Sequence, residues 1–212
     1  MPKSEVELIR SMVESGGDVN VAVGFGGDIP LLAAVRLGDQ ELAALLIENG
    51  ADVNFVDRNG NTPLHRSTWT SVSLTGLLID HGADVNAENS FGDTPLHIAA
   101  GRVDSEQLIE LLIENNANVN ARNHLGFTPL HHAVTIGLTN TRLLIDYGAD
   151  VKASAELHDS DSDTSWGPGT SVDTPLDNAV SNHNIQIGQN EWSPLSDGEL
   201  IEIIRLLIKN GA

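Results

Sequence analysis

Thr94-Pro95-Leu96-His97-Ile98-Ala99-Ala100 decides the fold, because the chain writes it again and again. Thr62-Pro63-Leu64-His65 and Thr128-Pro129-Leu130-His131 are near-identical copies, and Ile29-Pro30-Leu31-Leu32 and Thr174-Pro175-Leu176-Asp177 are worn ones. The five prolines are spaced 33, 32, 34 and 46 residues apart. A second phrase keeps step: Gly50-Ala51-Asp52-Val53-Asn54, Gly82-Ala83-Asp84-Val85-Asn86, Asn116-Ala117-Asn118-Val119-Asn120 and Gly148-Ala149-Asp150-Val151-Lys152, with Gly211-Ala212 as its stub. Two phrases alternating at a period near 33 mean a stack of supersecondary units. Such a stack offers a long surface and no enclosed pocket.

Each unit can be read physically. In residues 89–122, Gly92 allows a tight turn, Thr94 is placed to cap a helix, and Pro95 sits at the first helical position, where its missing N–H costs nothing. Leu96 and Ala99-Ala100 give a short inner helix with a small-residue face. Leu108, Leu111 and Leu112 recur at i, i+3 and i+4, the apolar face of a second helix. Asn116 stands where the other units have Gly, the usual left-handed residue after a helix.

On these two phrases, together with Ala99-Ala100 and the Leu-Leu of the second helices, the chain resembles the ankyrin-repeat family. The resemblance covers residues 4–153 and 173–212, with 154–172 and 183–198 outside it. It implies an all-α repeat solenoid of helix-turn-helix pairs linked by β-hairpin-like fingers. The expected layout is one domain, 1–212: capping helix 1–23, repeats 24–56, 57–88, 89–122 and 123–153, an acidic insertion 154–172, and a degenerate fifth repeat 173–212. The fifth repeat holds an inner insertion at 183–198 and a C-terminal capping helix. Ser4 with Glu7 reads as the capping box of the first helix. The resemblance also implies that His65, His97 and His131 bond the local turn and the adjacent repeat. One histidine per repeat cannot converge on a metal ion. Asn54, Asn86 and Asn120 are expected to satisfy backbone groups in the turn.

Charge narrows the partners. There are 30 Asp and Glu against 11 Lys and Arg, a formal net charge of −19. That argues against nucleic acid and anionic membrane, which need a basic footprint, and leaves open either plain solubility or a basic partner drawn in by steering. The absence of cysteine excludes a disulfide framework and fits the cytoplasm. With Glu5, Glu7, Glu14 and Asp18, residues 1–20 are not expected to act as a signal peptide, and no run approaches the roughly 18 apolar residues of a membrane span. A monomer is expected, with no cofactor. His158 with Asp159, or His131 with His132, lacks any nearby nucleophile, phosphate-binding loop or ligand set, so no enzyme is expected. Asp159, Asp161 and Asp163 alternate as a calcium loop begins, but Thr164 and Thr170 occupy the positions that need Gly and Glu.

The aromatics locate the expected contact surface. The repeat cores are written in Leu, Ala, Ile and Val, whereas Phe25, Phe91 and Phe127 precede the Pro-Leu pairs, Trp69 follows an inner helix, and Trp166 and Trp192 lie in the insertions. The resemblance implies that finger tips and inner helices meet partners. The candidate partner-binding residues are therefore Phe25, Arg58, Trp69, Phe91, Arg102, Leu125, Phe127, Ile136, Trp166 and Trp192. Finger aromatics that merely stiffen their neighbours are the alternative. The expected function is a non-catalytic protein–protein interaction module, as adaptor, scaffold or inhibitor. A stand-alone acidic inhibitor of a basic partner, resembling an immunity protein or antitoxin, is one alternative; a fragment of a larger protein is another.

Overall fold

The computed structural model describes residues 3–22, 28–156, 172–181 and 195–212. They form two compact units, residues 1–90 and 91–212.

The first unit holds α1 (Lys3–Glu14) and two helix pairs, α2 (Pro30–Leu37) with α3 (Gln40–Glu48) and α4 (Pro63–Ser67) with α5 (Val72–Asp80). Within it, α2 packs on α4 and α3 on α5, inner helix against inner and outer against outer. The second unit holds α6 (Pro95–Ala100) with α7 (Glu106–Glu114), then α8 (Pro129–Ala133) with α9 (Leu138–Asp146). It continues with strands β1 (Ala155–Glu156) and β2 (Val172–Asp173), helix α10 (175–181) and α11 (Asp197–Lys209). There α6 packs on α8, α7 on α9 and α9 on α11.

The Thr-Pro-Leu-His phrase opens α4, α6 and α8 by the same device. The Thr94 N–H donates to His97 Nδ1 at 3.1 Å, and Thr62 and Thr128 repeat the bond to His65 and His131 at 3.1 and 3.0 Å. Histidine thus serves in the capping box where glutamate or glutamine is usual. The leucine that follows the opening proline of the first four inner helices, Leu31, Leu64, Leu96 or Leu130, is fully buried. Each such side chain contributes about 2 kcal/mol of burial.

The second phrase is equally legible. Gly50, Gly82 and Gly148 take φ of 87°, 88° and 88°, and Asn116 takes 70° in their place. The next residue, Ala51, Ala83, Ala117 or Ala149, is buried. The Asp or Asn after it turns the chain by accepting the N–H two residues on, as Asp52 does from Asn54 at 2.9 Å.

Three details depart from expectation. On α7 the buried stripe is Leu108, Ile109 and Leu112, with Leu111 only half-buried. The i, i+3, i+4 set starting at Leu108 named two of the three; Ile109 shows that the face is set from Ser105, which is itself buried. Helix α1 already includes Lys3, so Ser4 lies within it and is not its N-cap. At the far end Ser196 is a genuine cap. Its N–H and the Glu199 carboxylate, and the Glu199 N–H and the Ser196 hydroxyl, bond reciprocally at 3.1 and 3.3 Å. Helix α11 therefore opens at Asp197, and Ile203 and Leu207 are its buried stripe.

The acidic insertion has a defined base. Ala155 pairs with Asp173 and Glu156 with Val172 in antiparallel register. The residues between the strands lie outside the description, as do the acidic run Asp159 to Asp163, Trp166, Trp192 and Phe25.

Candidate functional site

In the first unit, the finger of the second pair is built around Asp57. Its Oδ1 accepts the N–H groups of Asn59 and Asn61 at 2.8 and 2.9 Å, folding the tip into a tight loop. Its Oδ2 accepts Arg66 Nε at 3.1 Å, with a second guanidinium nitrogen on the same oxygen. Burial would raise the Asp57 carboxyl, but the bonds from Arg66, Asn61 and Asn59 outweigh it and hold the group below the usual carboxylate range. The loop thereby presents Arg58 to solvent. Beyond α4, Trp69 stands 62% exposed. A Cβ at Gly60 would meet the Ser90 backbone nitrogen at 2.4 Å, and Gly60 takes φ +75°. Only glycine lets these neighbouring fingers approach so closely.

In the second unit, Asn123 replaces the aspartate. Its Oδ1 accepts the N–H groups of Leu125 and Phe127 at 3.0 Å each, while its Nδ2 donates to Asp93 at 2.7 Å. The fingers are joined by the His124 N–H donating to the Phe91 carbonyl at 2.9 Å. This places Phe91, 68% exposed, and Leu125, 51% exposed, on adjacent tips. Phe127 behaves differently. It is half-buried, its ring 5.3 Å from that of His131 and edge-on to His132 at 6.4 Å. Arg102 and Ile136 are also half-buried, in the turns that follow α6 and α8. Val56 in the first unit and Val103 in the second, 56% and 58% exposed, are apolar surface that an aromatic-led reading passed over.

His97, His131 and His132 are held toward the neutral form. A backbone N–H can only donate, so His97 Nδ1 carries a lone pair, and Nε2–H then donates to the Phe127 carbonyl at 3.0 Å. His131 repeats this with the Asp173 carbonyl at 3.1 Å. Burial pushes His97 down to about 4, opposed in part by the bond to Phe127. Burial also pushes His131 and His132 down. Phe127, His131, His132, Thr135 and Asn178 line a cavity of about 290 Å³. His132 Nε2 is buried there without a hydrogen-bond partner among the described residues. Among those residues, no group of three His, Asp or Glu side chains is placed to hold a metal ion. Nor is any helix long and apolar enough to cross a membrane.

The family model for ankyrin repeats (three copies) matches residues 3–89 and 70–155. Among curated proteins, potassium channel AKT1 of Oryza sativa subsp. indica is 43% identical over 61 residues, 29% of this chain and 6% of the channel. The human 2-5A-dependent ribonuclease is 36% identical over 59 residues, 28% of this chain and 8% of the ribonuclease. Protein PhlB of Serratia liquefaciens is 38% identical over 71 residues, 31% of each chain. The likeness to these relatives thus spans less than a third of their length. Ankyrin repeats generally mediate protein–protein interaction. With the capped inner helices, the glycine-closed fingers and the family match over residues 3–155, the chain belongs to the ankyrin-repeat family.

Proposed function

We propose that this chain is a non-catalytic interaction module that holds a protein partner on its finger tips and inner-helix surface, as adaptor, scaffold or inhibitor. The observation that carries the reading is the exposure of Trp69, Phe91 and Leu125 in a fold whose core uses none of them. Isolated exposed apolar residues need no explanation, but large exposed aromatics near one another supply much of the energy of an interface. In the first unit the anchors are Trp69 and Arg58. In the second they are Phe91 and Leu125, and Arg102, Phe127 and Ile136 are added to them. Phe25, Trp166 and Trp192 complete the set.

A second reading refines the first: an acidic inhibitor that masks a basic partner, in the manner of an immunity protein or antitoxin. The net charge of −19 favours it, because such a field steers a cationic partner toward its site. A reducing cytoplasm accords with the lack of cysteine, and the module is proposed to act there as a monomer.

Affinity capture from lysate, with wild type beside Trp69→Ala and Phe91→Ala/Leu125→Ala variants of native circular dichroism, tests the proposal. A partner held by wild type and lost by either variant supports the finger-tip reading. A partner held equally by all three removes it. Capture that collapses as salt is raised favours the acidic-inhibitor form, whereas salt-insensitive capture counts against it.

A further inference from the structure

The sequence holds three Asn-Gly pairs, at 49–50, 59–60 and 210–211. Asparagine followed by glycine is the pair most prone to lose its side-chain amide, because no Cβ shields the next backbone nitrogen from the asparagine Cγ. The structure separates the three.

In each pair the glycine N–H is engaged to a similar degree. Gly50 donates to the Ile47 carbonyl at 2.9 Å, Gly60 to Asp57 at 3.0 Å and Gly211 to Ile208 at 3.0 Å. The nucleophile is therefore equally restrained at all three. The electrophile is not. Asn49 Nδ2 donates to the Leu45 carbonyl at 2.8 Å, and Asn210 Nδ2 to Leu206 at 2.8 Å. Both side chains are thereby turned one helical turn back along α3 and α11, away from the glycine that follows. The Asn59 side chain is exposed and makes no hydrogen bond with the described residues; only its backbone is tied, through Asp57 and Ser90.

We propose that Asn59 is the spontaneous modification site of this chain, deamidating through a cyclic imide at the tip of its finger. Solvent base takes the Gly60 N–H proton, and the nitrogen attacks Asn59 Cγ. The new C–N bond closes a five-membered succinimide, and the side-chain nitrogen leaves as ammonia, with its proton restored from water. One water then opens the ring. Cleavage at Cγ yields aspartate, and cleavage at the former backbone carbonyl carbon yields isoaspartate. One water is consumed and one ammonia is released.

The fold gives the product consequences. Either form adds a negative charge next to Arg58. Isoaspartate also lengthens the main chain by one methylene where there is no slack. The Asn59 carbonyl accepts the Ser90 N–H at 3.1 Å, and a Cβ on Gly60 would already meet that nitrogen at 2.4 Å. Isoaspartate at 59 therefore breaks the link between the two fingers of the first unit. This inference stands independently of the binding proposal.

The test is incubation of the intact protein in mildly alkaline buffer, followed by peptide mapping with fragmentation that distinguishes aspartate from isoaspartate. The expected result is a unit mass gain at residue 59 that accumulates severalfold faster than at residues 49 and 210. Ammonia release should match it, and Asn59→Gln should abolish most of it while circular dichroism stays native. Conversion at Asn49 or Asn210 as fast as at Asn59 overturns the proposal. So does an unchanged Asn59 in the folded protein when a peptide of residues 55–66 converts under the same conditions, since the turn would then be protecting it.

Discussion

The side chain of Asn54 clamps the turn that holds Asp84. Its Oδ1 accepts the Asp84 N–H at 2.8 Å while its Nδ2 donates to the Gly82 carbonyl at 3.1 Å. One amide satisfies a donor and an acceptor of the following repeat. Asn20 does the same for Asp52 and Gly50, and Asn120 for Asp150 and Gly148. The last asparagine of the repeated phrase is thus an inter-repeat fastener, and the Asp or Asn two residues before it, which accepts its N–H, aims it.

Asn54→Ala should therefore cost about 1 kcal/mol, because both backbone groups lie at exposed residues where water replaces the amide. Amide exchange at Asp84 should rise with it. Asn54→Asp keeps the acceptor but sets a carboxylate against the Gly82 carbonyl, so it should cost at least as much. Urea midpoints for both variants, beside a Glu48→Ala surface control, decide the matter. Midpoints equal to the control would show that the clamp contributes nothing.

His97 makes stability depend on pH. Its folded value, about 4, lies below the ordinary 6.5 of an unfolded chain. A histidine depressed by folding contributes stability in full above its unfolded value. That contribution is lost as pH falls from there through the folded value, because the unfolded chain takes up the proton first. The loss is of order 3 kcal/mol between pH 6.5 and about 4. Protonating the 30 acidic residues relieves repulsion in the opposite direction, so a variant is needed for reference. His97→Gln retains a side chain able to accept from Thr94 and donate onward, but it does not titrate. Wild type should lose more stability than His97→Gln over this window in urea titrations at successive pH values. Parallel curves would show that His97 is not the group responsible.

Two glycines with similar backbones should respond differently to alanine. Gly82 takes φ +88° with nothing within 4 Å of a built Cβ, whereas Gly92 takes φ +76° with the His124 backbone nitrogen at 2.6 Å. Gly82→Ala should cost about 1–2 kcal/mol, the strain of a left-handed residue. Gly92→Ala should cost clearly more, since backbone atoms of the neighbouring finger must also move. Equal melting temperatures for the two variants would contradict the close approach.

Much of this was legible in the sequence because the repeat is its own internal control. Thr94, Pro95, Leu96 and His97 occur in copies, so each role could be read from chemistry and then checked against the next. The handedness of Asn116 followed from the glycines at its register. What stayed hidden has physical causes. Helical periodicity identifies the face of α7 but not its centre, so it points to Leu111 where Ile109 is the buried residue. Aromatic character alone could not separate Phe91, which stands on a finger tip, from Phe127, two register positions closer to its helix and laid against His131. The insertion bounds 183–198 separate Ser196 from Glu199, whereas the two form one capping box, because a serine three residues before a glutamate marks a helix start as well as a loop.

The fifth inner helix keeps the cap and loses the fastener. Asp177 Oδ2 accepts the Thr174 N–H at 3.0 Å and its hydroxyl at 2.7 Å, as His97 and His131 do for their threonines. A carboxylate has no counterpart of the Nε2–H that reaches the next carbonyl from those histidines. The described part of α10 also buries only Pro175 and Ala179, whereas α8 and its C-cap bury Pro129, Leu130, His131, Ala133 and Val134. Local opening free energy follows buried contact and inter-element bonding. Amides of residues 178–181 should therefore exchange well before those of residues 131–134 in native-state hydrogen exchange. The Asn178 side chain, which donates to the His131 carbonyl at 2.9 Å, is the tie that limits the difference. Asn178→Ala should widen the gap by speeding exchange at 178–181 while leaving α6 unaffected. Equal protection across α8 and α10 in the wild type would mean that the cap alone sustains the helix.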